Sequence, residues 1–498
     1  MHASIAVPVS GRNSPAIASG TPYLLPITSF DFDVHGVLYC LCQAAQCSTY
    51  LPYDSVVNTA NSFLCRIRTN PPRLALLLLI AALLAGCEPS PTMHVIGYMI
   101  EERLGGPVEP PLSIQKGSLS GQVLFAGEPV PGAVVLVATR TGTPFSARTD
   151  NSGHYRIDNI PPGQYVPASI APTFAETALS GAFGLPYSVT VRPGETARAP
   201  ALTLQKHKPR PLPAPLPEAA DLWVSEPVTK TAPFPAGAVA WERSIAFTRA
   251  GARVISLRLY RPYPDSGQKL PLLFGLFPGW VDDWAPVNVA LADAGYSVLA
   301  LSPSGVWGLD VAAHAEDARL ALALARGGHL GVDLADAPAV ALGGSFSSAI
   351  VNRLLRDERD QFSAWLTLGG ISNAFTGSSD FYAHRLTLPE RFRYVIPALG
   401  PANIYPLPFL YYSPVYTASQ LPPTMIIHTD VDRIIPINQA YELEEALRAA
   451  GVYVEVLYYE DVSHYLQIGD DMTESGQEMF WQVLKFLESQ TAKTEDGE

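Results

Sequence analysis

The chain is short of cysteine, of basic residues and of long apolar segments, and each shortage excludes a class of protein. Its five cysteines all lie within the first 87 residues, which excludes a disulfide framework for the rest of the chain. Acidic residues outnumber basic ones by 46 to 33, and the net charge of −13 argues against a nucleic-acid partner. The lack of a repeat of about 40–50 residues argues against a β-propeller. The 498 residues therefore describe a globular protein of two or three domains.

The first 63 residues carry no convincing hydrophobic period, and no methionine occurs between Met1 and Met93. We therefore expect residues 1–63 to be an untranslated or disordered upstream extension. Three cysteines lie close together at 40, 42 and 47, but they lack the paired spacing of zinc ligands. The sequence accordingly predicts neither a metal site nor a cofactor.

A secretory signal is predicted at 64–86. Three arginines precede an apolar run of eleven residues at 74–84, which is too short for a membrane span of about 20 residues. The sequence Leu-Ala-Gly-Cys that ends at Cys87 resembles a bacterial lipobox. That resemblance implies cleavage before Cys87, diacylation of its thiol and anchoring of the exported protein to a membrane of the bacterial cell envelope. Residues 87–116 are rich in proline, glycine and charge, and they are predicted to be a tether.

Short alternating runs broken by turn residues begin at 117 and predict antiparallel strands. A tight turn runs from Asp150 to Gly153, and a Pro-Gly pair ending at Gly163 sets the next reversal. These motifs resemble the carboxypeptidase regulatory-like (transthyretin-like) β-sandwich over residues 117–204. The resemblance implies an accessory domain without catalytic residues, either a spacer or a contact site for a polysaccharide or protein. The proline-rich linker at 205–222 is expected to be stiff and to hold the next domain away from the sandwich.

From 223 to 490, apolar runs of strand length alternate with segments of helical period, and 491–498 are predicted to be a disordered tail. Such alternation predicts an α/β fold with a mostly parallel sheet and helices on both faces. In an open sheet of this kind, reactive groups gather beyond the carboxyl ends of the strands. Candidate functional residues are therefore sought at those ends.

One apolar strand at 339–342 ends in the sequence Gly-Gly-Ser-Phe-Ser, centred on Ser345, and a helical pattern follows at once. Small residues on either side let the strand and the helix pass closely, which forces the hydroxyl of Ser345 out of the turn as a nucleophile would require. The same pattern also suits an ordinary serine N-cap. The motif alone leaves both interpretations open.

Two later strand ends carry the partners that a serine nucleophile needs. Asp432 and His464 each follow an apolar strand, and the order Ser, Asp, His is that of the α/β-hydrolase fold. This context favours the nucleophile. Asp430 is a competing acid, but Asp432 stands in the pattern Asp-x-x-Ile-Pro and is preferred. Three other histidines are expected to be structural or surface residues: His314, His384 and, inside a strand, His428.

This domain resembles the α/β-hydrolase superfamily, most closely its dienelactone-hydrolase and prolyl-oligopeptidase-like branches. The resemblance implies that His464 deprotonates Ser345, while Asp432 fixes the imidazole tautomer and stabilises the imidazolium. It also implies an oxyanion site made by two backbone N–H groups, those of Phe346 and Trp280.

An insertion at 369–419 lies where the superfamily places its lid, and it is rich in aromatic residues. These are Phe375, Phe381, Tyr382, Phe392, Tyr394, Tyr405, Phe409, Tyr411 and Tyr412. They either form an apolar pocket for an acyl or side-chain group or pack a small core of their own. Both interpretations stay open at this stage.

The expected function is a lipid-anchored serine hydrolase that cleaves carboxylic esters through an acyl-enzyme. A prolyl-oligopeptidase-like peptidase is the close alternative, although that kind usually carries a propeller. The other alternative is a non-catalytic surface lipoprotein with a vestigial hydrolase domain, whose sandwich binds a partner.

Overall fold

A computed structural model of the chain describes residues 90–107, 115–181, 184–208, 210–249, 253–277, 279–302, 311–464 and 473–492. All of them fall within one compact unit of the chain, residues 48–498. The predicted upstream extension, the signal, Cys87 and the last six residues lie outside the described residues.

The helices and strands are numbered in chain order. The helices are α1 (Pro91–Arg103), α2 (Pro215–Glu218), α3 (Ala285–Asp293), α4 (Val311–Arg326), α5 (Ser347–Asp357), α6 (Ala374–Tyr382), α7 (Val395–Ala398), α8 (Pro406–Tyr411), α9 (Asn438–Ala449) and α10 (Glu474–Thr491). The first strands are β1 (Gly117–Phe125), β2 (Glu128–Pro129), β3 (Val134–Ala138), β4 (Pro144–Arg148), β5 (His154–Ile160), β6 (Gly163–Tyr165), β7 (Ala168–Ile170), β8 (Thr177–Ala178), β9 (Val189–Val191), β10 (Thr196–Arg198) and β11 (Leu202–Thr203). The later strands are β12 (Ala220–Val224), β13 (Val228–Thr231), β14 (Val239–Arg249), β15 (Arg253–Pro262), β16 (Leu272–Leu276), β17 (Ser297–Leu301), β18 (Ala339–Gly344), β19 (Ala364–Leu368), β20 (Thr424–Thr429) and β21 (Val454–Tyr459).

The carboxyl-terminal domain is built on one sheet in the order β12-β14-β15-β17-β16-β18-β19-β20-β21, with β13 paired to β14. Strands β16 to β21 run parallel, and β12 to β15 form an antiparallel edge. The central strands are buried along their whole length and are mostly apolar, as strands covered on both faces must be. The α/β-hydrolase fold class is therefore confirmed.

Alternate side chains of each strand supply two separate cores, one on each face of the sheet. On one face, Phe274 packs with residues of α4, α5 and α9. On the other face, Leu273 packs with residues of α3 and α10. Because both faces are covered, the free carboxyl ends of the parallel strands are where polar side chains can gather.

Strands β1 to β11 form the smaller β domain around its own apolar core, which includes Leu119, Tyr155 and Tyr165. Its strands pair into three small groups: β10, β1, β11, β2 and β5; β4, β3, β7 and β8; and β6 with β9. Asp150 closes the predicted turn, since its carboxylate accepts the N–H groups of Ser152 and His154. The turn chemistry read from the sequence thus has a direct structural counterpart.

The segment predicted to be a tether instead contains helix α1, which lies on the lid. Val95 and Met99 are four residues apart, so they share one face of the helix and are buried beside Tyr394 and Ala398. Glu102 forms an ion pair with Arg393 at 2.9 Å. The tether prediction rested on average composition, and it missed this short i, i+4 pattern.

The proline-rich linker lies along the hydrolase domain rather than spacing it from the sandwich. The Arg210 guanidinium pairs with Glu316 at 2.6 Å and with Asp357 at 3.0 Å, and Leu212 packs against the hydrolase core. The prediction of separated domains was wrong, because it considered the stiffness of the prolines and not the side chains between them. The sandwich contacts the hydrolase domain directly.

Candidate active site

Ser345 stands in a strained turn between β18 and α5. Its φ is +49°, a left-handed conformation that non-glycine residues rarely adopt, and such strain clusters at functional sites. Its N–H donates to the carbonyl of Leu368 at 2.9 Å, which ties the turn to the neighbouring strand. A Cβ on Gly343 would lie 2.7 Å from the Val351 side chain, so only glycine lets β18 and α5 approach this closely.

The structure brings the three predicted residues of the hydrogen-bonded chain together. His464 Nε2 lies 2.8 Å from Ser345 Oγ, and His464 Nδ1 lies 2.6 Å from Asp432 Oδ2. A neutral imidazole that donates from Nδ1 to the carboxylate keeps Nε2 free to accept the hydroxyl proton. Asp432 Oδ1 accepts the N–H groups of Ile434 and Ile435 at 2.8 and 2.9 Å, which fixes the carboxylate. The competing acid Asp430 is exposed.

Two residues beside this chain were not predicted to belong to the site. His428 is 1% exposed, donates from Nε2 to the carbonyl of Ile435 at 2.9 Å, and lies 3.5 Å from Asp432 Oδ2. Burial lowers its pKa, so the ring is neutral. Gly369 has φ +53°, and a Cβ on it would lie 3.5 Å from both Asp432 Oδ2 and His464 Nδ1. The spacing of four residues from His428 to Asp432 was the available signal, but β20 ends between them and hides it.

The two predicted oxyanion donors differ in whether their N–H groups are already bonded. Phe346 directly precedes α5, and its N–H has no hydrogen-bond partner within the described residues. The N–H of Trp280 instead donates to Asp283 Oδ2 at 3.0 Å, and the indole is 76% exposed. The assignment of Trp280 was therefore wrong, because Asp283 caps the short 3₁₀ turn that follows and takes this donor. Between the end of β16 and this 3₁₀ turn, Gly279 is the described residue that lines the pocket with Ser345.

A mostly apolar pocket of about 310 Å³ opens in front of Ser345 and His464. The predicted lid supplies much of its wall: Ile371, Ala374, Gly377, Leu386, Leu388, Phe392, Val395, Ile396, Leu399 and Tyr412. Asp283 is the one acidic side chain among the described lining residues. Two of the nine aromatic residues face this pocket. Phe375 and Phe409 instead stack on each other, with ring centroids 5.2 Å apart, in a cluster shared with the sandwich. Both interpretations of the aromatic residues therefore hold in part.

The remaining histidines lie away from the hydrogen-bonded chain. His384 has φ +56° and is exposed, and His314 is buried on α4 with its ring 6.3 Å from that of Phe346. Across the described ranges, no group of three or more His, Cys, Asp or Glu side chains is arranged to hold a metal ion. In that same part of the chain, no helix combines the length and apolarity that a bilayer crossing requires.

Two known sequence families match parts of the chain. Residues 118–205 match the sequence profile of the carboxypeptidase regulatory-like domain, and residues 336–494 match that of the prolyl oligopeptidase family. No curated protein sequence is similar to the chain.

Solved structures that resemble the chain include three esterases. The one from the fungus Rhizomucor miehei is 13% identical, with a TM-score of 0.41 over 54% of this chain and 87% of that protein. The hyperthermophilic esterase of the archaeon Pyrobaculum calidifontis is 19% identical, with a TM-score of 0.41 over 50% and 85%. The thermophilic esterase of the planctomycete Thermogutta terrifontis is 18% identical, with a TM-score of 0.38 over 48% and 92%. Two of the three resemblances drawn from the sequence are confirmed: the chain carries a carboxypeptidase regulatory-like domain, followed by an α/β-hydrolase domain similar to the prolyl oligopeptidase family, and this match supports a hydrolase of the serine type.

Proposed function

We propose that the protein hydrolyses carboxylic esters, with Ser345 as nucleophile, His464 as general base and Asp432 as its orienting acid. The observation that carries the proposal is the unbroken hydrogen-bonded chain from Ser345 Oγ through His464 to Asp432. It opens on a pocket whose lining is mostly apolar. A hydroxyl, a neutral imidazole and a buried carboxylate in this order are the parts that acyl transfer needs.

Acylation begins when His464 Nε2 takes the proton of Ser345 and Oγ attacks the ester carbonyl carbon. The carbonyl oxygen becomes an oxyanion, and the N–H of Phe346, which has no partner among the described residues, is one donor for it. We assign the second donor to the N–H of Gly279, which replaces Trp280 in this role. The tetrahedral intermediate collapses, His464 gives its proton to the leaving alcohol, and the acyl group stays on Ser345.

Deacylation repeats these steps with water in place of the serine hydroxyl. His464 removes a proton from the water, the hydroxide attacks the acyl carbonyl, and the carboxylic acid leaves as Ser345 regains its proton. Asp432 stabilises the imidazolium in both halves. The two backbone N–H groups that Asp432 accepts hold its carboxylate in place for this task.

Peptide hydrolysis is the second candidate, and the match of residues 336–494 to the prolyl oligopeptidase family favours it. The pocket argues for esters, because a peptide usually needs a charged or polar group to hold its main chain or terminus. The lone carboxylate among the described lining residues, Asp283, already accepts the N–H of Trp280. A volume of about 310 Å³ also lies at the small end of ligand pockets, which favours a short or medium acyl chain.

A substrate panel separates the two candidates. The purified protein is given p-nitrophenyl esters of rising acyl length and, in parallel, proline-containing peptide amides. We expect turnover of the esters, with a maximum at a short or medium chain, and no turnover of the amides. Efficient cleavage of the amides assigns a peptidase instead. No turnover of either class, together with no labelling by a serine-directed phosphonate, supports the non-catalytic alternative.

We further propose that Cys87 is lipidated and anchors the protein to the bacterial cell envelope. Support comes from the arginines, the apolar run and the lipobox-like sequence that ends at this cysteine. The test is metabolic labelling of cells with an alkyne fatty acid. We expect label on the wild-type protein and none on Cys87→Ser, and an unlabelled wild-type protein contradicts the proposal. Contact of the sandwich with a polysaccharide or protein also stays a prediction.

A further inference from the structure

Strand β3 of the sandwich is apolar on both of its faces. Val135 and Val137 point into the core of the sandwich, as its fold requires. The alternate residues Val134, Leu136 and Ala138 belong to a second cluster, whose other members include Phe375 and Phe409 of the lid. All five residues of the strand are buried. An antiparallel strand of this kind normally leaves one face to water, so its second face is built for a partner inside the same chain.

That partner is a wall only one helix thick. Ala374 and Gly377 on α6 line the pocket in front of Ser345. On the same helix, Phe375 is 0% exposed and belongs to the cluster shared with the sandwich. Ser378 lies next to Gly142, which is in the turn between β3 and β4. Helix α6 therefore separates the substrate pocket from strand β3. Because packed interiors transmit small shifts, the position of the sandwich sets the position of this wall.

Polar contacts fix the position of the sandwich relative to the hydrolase domain. Thr143 Oγ1 lies 3.1 Å from Ser379 Oγ, and the N–H of Val166 donates to the carbonyl of Asn403 at 2.8 Å. A second connection reaches the helix that follows the nucleophile, since Glu176 of the sandwich pairs with Arg356 of α5 at 2.9 Å. Both charged side chains of that pair are more than nine-tenths buried. The sandwich thus holds both the lid and the helix that begins behind Ser345.

We propose that the sandwich is the outer wall of the substrate pocket and that the face carrying Leu136 determines the length of acyl group the enzyme accepts. The proposal rests on the ester hydrolysis proposed above. It gives the carboxypeptidase regulatory-like domain a role in specificity, although no residue of that domain is required to touch the substrate.

Two neighbouring residues of β3 provide a matched pair for the test. Leu136→Ala leaves a cavity on the lid side, into which α6 can move, and the pocket widens. Val137→Ala leaves a cavity in the sandwich core, on the opposite face. Both residues are 0% exposed, so a role in sandwich stability alone predicts similar effects from both. The readout is the ratio of kcat/KM for p-nitrophenyl octanoate to that for the acetate, with folding checked by circular dichroism.

We expect Leu136→Ala to raise this ratio about fivefold or more, and Val137→Ala to leave it within about twofold of wild type. An unchanged ratio in a folded Leu136→Ala protein overturns the proposal, as does an equal shift in Val137→Ala. Labelling rates with methyl and octyl phosphonates give the same comparison without turnover. If the protein reacts with the phosphonates but hydrolyses no ester, the proposed ester hydrolysis is contradicted. The labelling rates then still test whether the sandwich sets the acyl length.

A second pair decides the question if Leu136→Ala does not fold. A Cβ on Gly142 would lie 2.5 Å from the carbonyl oxygen of Phe375 and 2.7 Å from Ser378 Cβ, so Gly142→Ala pushes the wall inward. Gly127 also has a positive φ, +90° against +112° for Gly142, but a Cβ there meets nothing within 4 Å. We expect Gly142→Ala to lower the octanoate-to-acetate ratio and Gly127→Ala to leave it unchanged. Equal ratios in the two variants overturn the proposal.

Discussion

The two sides of the pocket are built in different ways. On the reactive side, Ser345, Asp432 and His464 come from three strand ends of one sheet, and backbone hydrogen bonds hold the first two. On the opposite side, the wall consists of short lid helices that pack against the sandwich and against α1. The sheet therefore fixes the positions of the three reactive side chains, whereas the shape of the pocket depends on contacts between distant parts of the chain.

The largest effect is expected on the reactive side, from Asp432→Asn. An amide cannot hold the imidazole tautomer that leaves Nε2 free, so we expect kcat to fall about 10⁴-fold. The matched control is Asp430→Asn, two residues away and exposed, which should keep wild-type activity. Steady-state kinetics with a p-nitrophenyl ester gives both values. A large loss in Asp430→Asn with little loss in Asp432→Asn reverses the assignment of the acid.

The next largest effect is expected on stability, from a substitution in the lid side of the pocket. Phe375 is 0% exposed and stacks on Phe409, so Phe375→Ala should lower the free energy of unfolding by about 3–5 kcal/mol. Urea unfolding measures this loss, with the half-buried Phe381→Ala as the milder control. If the two sides are independent, the folded variant still reacts with a small phosphonate at Ser345. Loss of that reaction in the folded protein would show that the reactive side of the pocket depends on the opposite wall.

Much of the reactive side could be predicted from the sequence, because each of its parts is local. The Gly-Gly-Ser-Phe-Ser turn and the Asp-x-x-Ile-Pro pattern are short, and parallel strands bring their ends to one edge. Trp280 was misassigned because a single side chain three residues later, Asp283, takes its N–H. His428 is buried, as predicted, but its closeness to Asp432 was missed, since nothing in an apolar strand shows what its final residues contact.

The wall could not be predicted, because its contacts join residues far apart in the chain. Leu136 and Phe375 share one cluster across more than two hundred residues of sequence. A local signal did exist in the run from Val134 to Ala138, which is apolar at every position although an antiparallel sandwich strand should alternate. Composition likewise hid helix α1, because the prolines, glycines and charges around its two buried residues dominate the average over 87–116.

A smaller effect is expected at His428, which we interpret as a positioning residue behind Asp432. A hydrogen bond worth about 1 kcal/mol, from His428 Nε2 to the carbonyl of Ile435, predicts about a fivefold loss of kcat in His428→Leu. Its loss loosens the turn whose N–H groups hold Asp432 Oδ1. KM for a p-nitrophenyl ester should stay within about twofold of wild type, because His428 is not among the lining residues of the pocket. His428→Gln keeps an N–H donor and should regain most of kcat, whereas an unchanged kcat in His428→Leu contradicts the role.

The smallest effect concerns the contact of α1 with the lid. Burial lowers the pKa of His94 to about 4 from its ordinary value of 6.5. The unfolded chain thus binds the proton more readily, so stability is full above pH 6.5 and falls as the pH approaches 4. His94→Phe keeps a ring beside Tyr405 without titrating, and it should reduce the loss of Tm between pH 7 and pH 4.5 by about 2 °C. The same pH dependence in both proteins contradicts this assignment.

The central claim is that Ser345 is a nucleophile activated by His464, and a covalent adduct tests it most directly. The intact protein is incubated with a serine-directed phosphonate, its mass is measured, and the modified residue is located by peptide mapping. We predict one adduct per chain, on Ser345, and none on the folded Ser345→Ala and His464→Ala variants at the same exposure. An adduct elsewhere, or no adduct on the folded wild-type protein, contradicts the claim.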